Sequence, residues 1–362
     1  MPRWIAKDTS RMTDEAYQSH SLQGVSRTFA LTIPQLPKRL RLPVGNAYLL
    51  CRICDTIEDE PALTLEQKER FSGDFVRVVK GSASPDVFSD TLSAALTNDT
   101  PEAERDLIRN TARVIRLTHG FTSPQRRAME HCVQEMATGM VHYQKRQTLS
   151  GLRDISELGD YCYYVAGVVG IMLTELFSDY SREMAANRER MLELSRSFGQ
   201  GLQMTNILKD IWDDWARGAC WLPRDVFSEC AFDLQAIPEH RNDSCYLAGI
   251  GNLIGLASMH LHNALQYTLL IPPKEKGIRR FCLWALGMAL LTLRKLNKHR
   301  NFESGQEVKI SHLDVKTVIV GTELVLKGDK RPRWLFELLA RGLPDAPEGV
   351  SSDNDTDSSK TC

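Results

Sequence analysis

The chain is short of charge imbalance, of long apolar runs and of paired cysteines, and each shortage closes off a class of function. Lys plus Arg total 45 against 46 Asp plus Glu, a formal net charge of −1, so no bulk electrostatic grip on nucleic acid is available. The longest apolar run, residues 281–293, is too short to span a bilayer and is bracketed by Arg279, Arg280, Arg294 and Lys295; it reads as a buried helix. Arg3, Lys7, Asp8 and Arg11 leave no room for the apolar centre of an export signal. The 9 cysteines, scattered through helical stretches, point to reduced thiols in a cytoplasmic protein rather than a disulfide framework. Cys51 and Cys54 form a C-x-x-C, but no second pair lies at zinc spacing and no strand precedes them, so both are expected in the core.

Several catalytic signatures are missing as well. No histidine has a Glu three residues before it, which removes the di-iron carboxylate bundle, and there is no H-E-x-x-H. Gly249, Gly251 and Gly255 come near a dinucleotide fingerprint but have the wrong last spacing and no preceding strand. There is no phosphate-binding Walker loop and no G-x-S-x-G elbow.

What the sequence does have is carboxylate, placed twice in the same way. In the stretch Asn206-Ile-Leu-Lys-Asp-Ile-Trp-Asp-Asp-Trp215, Asp210, Asp213 and Asp214 stand at i, i+3 and i+4, one face of a continuous helix. Asp55, Glu58 and Asp59 repeat the spacing. Both sets sit among apolar residues: Leu49, Leu50, Ile53 and Ile57 for the first, Ile207, Leu208, Ile211 and Trp212 for the second. Like charges at this spacing destabilise a helix by roughly 0.2–0.5 kcal/mol per pair in water, and by more at low dielectric. Glu60-Pro61 ends the first helix, putting its acids where the helix dipole is unfavourable to them. A cation is called for, and Mg2+ fits, since it takes oxygen ligands and is commonly shared between a few carboxylates and substrate phosphates. A single such triplet would be ordinary solvated surface; two facing ones would hold ions that grip a diphosphate.

Along the chain, residues 1–20 are polar and expected to be loosely ordered, residues 21–345 form one mostly helical domain, and the acidic tail 346–362 is disordered by composition. Pro34, Pro37 and Pro43 punctuate the approach to a helix over 44–59. Residues 63–110 are amphipathic without recognisable chemistry. Met129, Val133, Met136 and Met140 recur at helical spacing, as a core stripe or a wall for a long apolar substrate. Gly167 and Gly170, and Gly199 and Gly201, interrupt helices at about 1 kcal/mol each, so another backbone or a substrate chain must approach closely there. Arg217-Gly218 and Trp221-Leu-Pro223 read as a loop closing over the second acidic helix. Further helices are expected at 251–270, 277–297, 312–326 and 331–341.

Four stretches together resemble the squalene and phytoene synthase family, the head-to-head prenyl transferases: Val25-Ser-Arg-Thr-Phe29, Tyr48-Leu-Leu-Cys-Arg-Ile-Cys-Asp-Thr-Ile-Glu-Asp59, Tyr161-Cys-Tyr-Tyr-Val-Ala-Gly-Val-Val-Gly170 and Gln203-Met-Thr-Asn-Ile-Leu-Lys-Asp-Ile-Trp-Asp-Asp214. Asp-Thr-Ile-Glu-Asp resembles the squalene synthase form. The second acidic stretch and its Trp-Leu-Pro sequel are closer to the bacterial branch, so a bacterial squalene synthase is the expected nearest kin. The resemblance implies an all-α, single-domain isoprenoid-synthase bundle with a central tunnel and both acidic sets at its mouth. It further implies condensation of two farnesyl diphosphate molecules through presqualene diphosphate to squalene, with Mg2+-assisted ionisation and NADPH reduction.

On that resemblance Asp55, Glu58, Asp59, Asn206, Asp210 and Asp214 hold the metal ions, with Asp213 a weaker candidate. Tyr161 aids proton removal or steers the cation, its alternative being a hydrogen-bonded core tyrosine. Arg52 and Lys209 contact diphosphate or, more plainly, pair with neighbouring acids. Ser26, Arg27, Thr28 and Phe29 form a flap over the substrate, while Tyr48, Val165, Ala166, Val169, Leu202 and Gln203 line the tunnel. Arg27, Arg52, Lys209 and Lys309 are the candidates for cofactor phosphates. Two departures weaken the reduction step: Ser311 and His312 stand after Val308-Lys309-Ile310 where basic residues are expected, and Ala285 replaces the family's proline after Phe281 and Cys282. A dehydrosqualene or phytoene synthase without reductant is the near alternative, and a catalytically silent assembly or lipid-binding homologue the distant one. Without a membrane anchor, contact with the inner membrane face is expected to be peripheral.

Overall fold

The computed structural model describes residues 9, 11–26 and 28–347. Among them there are helices and connecting loops but no strand; the nearest approach is an isolated bridge between Leu152 and Pro223. The body is built from six long helical segments: Lys38–Asp59, Ser123–Gln144, Ile155–Cys162 continued by Val168–Tyr180, Arg188–Lys209, Ser244–Leu270 and Lys276–Lys298. A π-helical turn, Tyr163–Gly167, joins the two halves of the third.

Local chemistry starts and stops these segments. Thr122 caps Ser123–Gln144 through a reciprocal box with Gln125, and Pro124 occupies the first turn, where its missing N–H costs nothing. Met129, Val133, Met136 and Met140 on that helix are all buried, at most 3% exposed, so the methionine stripe is core. Ile155–Tyr180 is, among the described residues, the helix long and apolar enough to cross a membrane. Here it packs in the interior against Ser123–Gln144 and Arg188–Lys209.

The interior glycines receive a backbone. A Cβ on Gly170 would stand 2.3 Å from the carbonyl oxygen of Ser195, and one on Gly199 2.3 Å from that of Ala166. The Tyr161-bearing helix and the second acidic helix therefore touch main chain to main chain. This contact lies between two apolar clusters. One gathers residues of the first half of the chain with Tyr267, Ile278, Phe281 and Cys282 from the late helices; the other is built on Ile207, Leu208 and the parts of Ser244–Leu270 and Lys276–Lys298 that carry Tyr246, Leu265, Leu283 and Leu296. Val165 and Phe198 are only half-buried and pack against both.

Three expectations need correction, and a fourth falls mostly outside the described residues. The first helix begins at Asp14, inside the stretch expected to be loose, capped by Thr13; Tyr17 is fully buried and its hydroxyl donates to the Asp106 carboxylate at 3.0 Å. Residues 346 and 347 are described and the remaining tail, 348–362, lies outside the described residues. Pro43 lies inside the Lys38–Asp59 helix instead of before it. The carbonyl it leaves unpaired belongs to exposed Arg39, where water can satisfy it. Cys230 and Cys245 form a disulfide while Cys51, Cys54, Cys132, Cys162, Cys220 and Cys282 are free and buried; one bridge closing a surface loop hides within an odd count.

Candidate active site

The first acidic helix runs to Asp59 and stops because Glu60 turns extended ahead of Pro61. Glu60 anchors this end: its carboxylate accepts from the N–H and hydroxyl of Thr97 at 3.0 and 2.8 Å and from the hydroxyl of Thr100. The Glu58 carbonyl accepts from the Gln144 amide at 2.8 Å and from the Lys68 ammonium. The last turn is thus held from two neighbouring helices, with Asp55 and Glu58 half-buried and Asp59 exposed.

The second acidic stretch is not one helix. Arg188–Lys209 ends at Asp210, whose φ of −102° and ψ of 14° are non-helical, and Ile211–Ala216 starts afresh. The break changes the set: Asp214 is 8% exposed, whereas Asp213 is turned out to solvent. Asp210 and Asp214 remain on the inner side. Gly218, with φ of +76°, reverses the chain, and Cys220 N–H donates to Thr148 O at 3.0 Å. The loop after the acids closes over them, as the Arg-Gly and Trp-Leu-Pro pattern leads one to expect.

Arg217 joins the two stretches. Its guanidinium donates to Asp59 at 3.0 Å and to Asp214 at 2.5 Å, so the ends of both acidic segments lie within the span of one side chain. Tyr161 sits beneath them, 5% exposed, its ring stacked on Trp221 at 4.2 Å and edge-on to Tyr143 at 5.1 Å. Burial, with the Glu58 and Asp214 carboxylates adding, pushes the Tyr161 hydroxyl well above its ordinary range. It therefore stays protonated, a donor rather than a base in the resting site.

The same crowding raises the acids. Burial, opposed by Arg52 and reinforced by Asp59, lifts Asp55 to about 6. Burial together with Asp59 and Asp55 lifts Glu58 to about 8, and burial lifts Asp214 to about 6 against the pull of Arg217. Negative charge is in excess here, and the donor atoms are carboxylate oxygens, which suits a hard divalent cation. Among the described residues no three His, Cys, Asp or Glu side chains converge on one point. The fit to Mg2+ thus rests on the chemistry of the carboxylate donors, which is that of a hard divalent cation's ligands.

Arg52 donates to the Tyr48 hydroxyl at 3.1 Å and lies 3.6 Å from Asp55 and 3.9 Å from Glu104. Its Nε is buried with no acceptor among the described residues. Lys209 Nζ is 2.7 Å from both oxygens of Asp210. The ion-pair readings of Arg52 and Lys209 are thus realised, each beside an acid of the site. Of the flap residues, Arg27 lies outside the described residues and Thr28 is exposed. Ser26 spends its hydroxyl oxygen on the Phe29 N–H at 2.9 Å. Phe29 is fixed between Tyr48 and Phe281, ring centroids 4.8 and 6.2 Å away, and the Tyr48 hydroxyl donates to Val25 O. Val165, Ala166, Val169, Leu202 and Gln203 are all half-buried. Asn206 is exposed one turn before Asp210.

Lys309 is exposed, with Nζ 3.5 Å from Gln306 and no acid beside it. Its segment reaches the Asp210 end, because Trp212 Nε1 donates to Phe302 O at 2.7 Å and Gly305 lies against Lys209 O. Of the candidates for cofactor phosphate, Arg52 and Lys209 are paired with acids, Lys309 has the Lys295 ammonium donating to its carbonyl at 2.7 Å, and Arg27 lies outside the described residues.

Sequence reasoning missed Arg217, read only as part of a loop, Trp221 under Tyr161, and Glu104, which accepts from Thr56 at 3.2 Å beside Arg52. Arg217 was discoverable, being the cation three residues after Asp214. Glu104 left no local signal.

A sequence model of the squalene/phytoene synthase family matches residues 22–314. Among curated proteins the chain is similar to squalene synthase of Eremothecium gossypii, 29% identical over 294 residues, covering 81% of this chain and 64% of that one. It is also similar to squalene synthase ERG9 of Gibberella zeae, 28% identical over 276 residues, covering 75% and 56%. The chain thus spans about three-fifths of the length of these curated relatives, and they are fungal, not bacterial. Among solved structures it resembles TcSQS in complex with the ligand E5700, with a TM-score of 0.73, 22% identity and 90% of each chain covered. It also resembles a dehydrosqualene synthase in complex with a ligand, with a TM-score of 0.63, 21% identity and coverage of 86% and 96%. Squalene synthase HpnC from Alicyclobacillus acidocaldarius supplies the bacterial counterpart, with a TM-score of 0.55, 17% identity and coverage of 80% and 95%. These likenesses show the all-α prenyl-synthase fold.

Proposed function

Because this chain belongs to the squalene/phytoene synthase family, we propose that it condenses two molecules of farnesyl diphosphate head to head, through presqualene diphosphate, to squalene. The observation that carries the reading is Arg217 bridging Asp59 and Asp214, which sets both acidic segments at one mouth above Tyr161. Mg2+, when bound, supplies Lewis-acid neutralisation of the departing diphosphate. Asp55, Glu58, Asp59, Asp210 and Asp214 would hold it, with Asn206 at the rim. Arg52 and Lys209, each beside an acid of the site, would donate to diphosphate oxygens.

The remaining residues shape the path of the carbocation. Phe29, Tyr48, Val165, Ala166, Val169 and Leu202 give it an apolar wall and exclude water that would quench it. Tyr161, its hydroxyl protonated and its ring stacked on Trp221, would steer the cation. Ser26, Arg27 and Thr28 would cover the second diphosphate. The final reduction, with NADPH as hydride source, is proposed from the name squalene synthase that the curated relatives carry; no residue is assigned to it.

A second reading has a specific observation in its favour. Ser311 and His312 stand after Lys309 where further basic residues are expected, and a product formed without reductant, dehydrosqualene, needs no site for cofactor phosphates. Incubating the purified protein with farnesyl diphosphate and Mg2+, with and without NADPH, separates the readings by mass spectrometry of the hydrocarbon. Squalene only with NADPH is the expected result. The same hydrocarbon with or without it moves the assignment to a dehydrosqualene or phytoene synthase, and no hydrocarbon at all leaves a silent lipid-binding or assembly homologue.

A further inference from the structure

The last two described helices, His312–Val325 and Lys330–Ala340, hold five of the seven large apolar side chains that are exposed among the described residues. They are Leu313 at 72%, Val320 at 60%, Leu324 at 71%, Trp334 at 63% and Leu338 at 45%. They are not scattered. Leu313, Val320 and Leu324 are spaced by seven and four residues and fall within about 40° of one another on a helical wheel. Trp334 and Leu338 are one turn apart on the second helix. Opposite faces of the same helices are buried through Val318, Thr322, Val325, Pro332 and Phe336.

The pair is held rigidly to the body. Arg279 is fully buried and donates to Ile271 O at 2.8 Å, to Gly328 O at 2.9 Å and to the Asp329 carboxylate at 2.8 Å. It fixes the turn between the two helices. A cavity of about 140 Å³, lined by Leu286, Leu290, Gly321, Leu335, Phe336 and Leu338 among others, runs beneath the hairpin.

Charge on the outer face is one-sided for a structural reason. Three acids of the hairpin are neutralised by cations of the body: Asp314 by Lys295 at 3.1 Å, Glu323 by Arg280 and Asp329 by Arg279. Glu337 faces His262 at 3.9 Å. Lys316, Lys327, Lys330, Arg331, Arg333 and Arg341 are all exposed, and none has an acid partner among the described residues. An apolar ridge with a tryptophan is thereby rimmed by six free cations.

We propose that this hairpin docks the protein on a membrane surface containing anionic lipid. Leu313, Val320, Leu324, Trp334 and Leu338 would enter the acyl boundary, and the lysines and arginines would meet the headgroup phosphates. The charge pattern selects this occupant. Six unpaired cations around an apolar ridge match the phosphate layer above an acyl boundary, and a second copy would bring six like charges against six. The chain's own residues 348–362 offer Val350 as their single large apolar side chain, too little to cover the ridge. The inference makes specific the peripheral membrane contact expected of the proposed function, and its test does not depend on turnover.

The experiment is co-sedimentation of the purified full chain with vesicles of phosphatidylcholine, alone or mixed with phosphatidylglycerol. Binding is expected to the mixed vesicles and to weaken as salt screens the rim. Leu324→Glu and Trp334→Glu should each lower the bound fraction severalfold, with unchanged circular dichroism. Lys330→Glu with Arg331→Glu should remove the preference for phosphatidylglycerol. The proposal is overturned if the chain stays in the supernatant with both vesicles, or if the apolar variants bind as the parent does. It is overturned equally if sedimentation velocity shows a dimer that Leu324→Glu makes monomeric. Farnesyl diphosphate turnover in detergent, measured in parallel, stays intact in these variants if the chemical assignment is right, so the two readings fail separately.

Discussion

Arg217 and Asp59 are 158 residues apart in the chain and 3.0 Å apart in space. The same guanidinium holds Asp214, so one arginine stands between two acidic segments that the proposed chemistry needs close together. Arg217→Ala should leave those carboxylates without their shared counter-charge. A lost charge-assisted contact of about 1.5–3 kcal/mol corresponds to a fall in kcat/KM of roughly ten- to a hundredfold. Arg217→Lys, which keeps charge but not the fork, should lie between. Steady-state kinetics at varied Mg2+ concentration checks this.

The acids themselves should matter more. Asp55→Ala and Asp210→Ala, one in each segment, should each lower turnover of farnesyl diphosphate by about 10²–10³-fold, the scale of losing one preorganised electrostatic contact to a leaving group. The double variant should fall short of the product of the two, because they serve one ion cluster. Asp213→Ala should be near neutral, since the break at Asp210 turns Asp213 to solvent. Full turnover in both single variants would remove metal-assisted ionisation at this site.

That contrast shows what the residues disclosed on their own. The long helices were legible because apolar spacing and end signals agree: 277–297 was expected and Lys276–Lys298 is found, 331–341 was expected and Lys330–Ala340 is found. The opposition of the two acidic segments was legible from their duplication among apolar neighbours. Asp213 was ranked below its neighbours and is exposed; what the i, i+3, i+4 rule did not anticipate is the break at Asp210, with ψ of 14°. Glu104 and the Cys230–Cys245 bridge were invisible because each depends on segments that meet only through tertiary packing.

Stability of the metal-free protein should depend on pH in a direction opposite to that of a paired carboxylate. Glu58 is raised from 4.5 to about 8 by burial and by Asp59 and Asp55, against Lys68 and Arg217. Between those values the folded state binds the proton more tightly than the unfolded chain. Its penalty is therefore absent below the lower value, grows through the window and is complete above about 8. Asp55 and Asp214, both raised to about 6, add to the slope in its lower part. Thermal unfolding in chelator should show Tm falling across this range, a shallower fall in Glu58→Gln, and recovery on adding Mg2+. A parent and variant with parallel profiles would contradict this crowding of charge at the mouth.

The disulfide joins residues separated by 15 in sequence. Closing a loop of that size stabilises the fold by about 3 kcal/mol on the chain-entropy account. Reduction with dithiothreitol should lower the urea midpoint accordingly, and Cys245→Ser should reproduce the loss while making the protein insensitive to the reductant. The six other described cysteines are buried, so a thiol count on the folded, reduced protein should rise chiefly through Cys230 and Cys245.

Gly199 offers a test of the frame that holds Tyr161 under the acids. Its Cβ would have to share space with Ala166 O at 2.3 Å and with the α-carbon of Gly167 at 2.6 Å, both main-chain atoms that cannot swing away. Gly199→Ala therefore forces the two helices apart, and an overpacked contact of this kind costs about 1–3 kcal/mol, more than alanine's better helix propensity of about 1 kcal/mol returns. The shift would move Tyr161 relative to Asp210 and Asp214, which ride on the far end of the Gly199 helix and the short helix after it. Turnover should drop along with Tm. Gly73→Ala is the control, because nothing lies within 4 Å of a Cβ there, and it should raise Tm slightly without touching kcat. If Gly199→Ala behaved like Gly73→Ala, the two helices could not be in main-chain contact, and the placement of Tyr161 beneath the acids would lose its support.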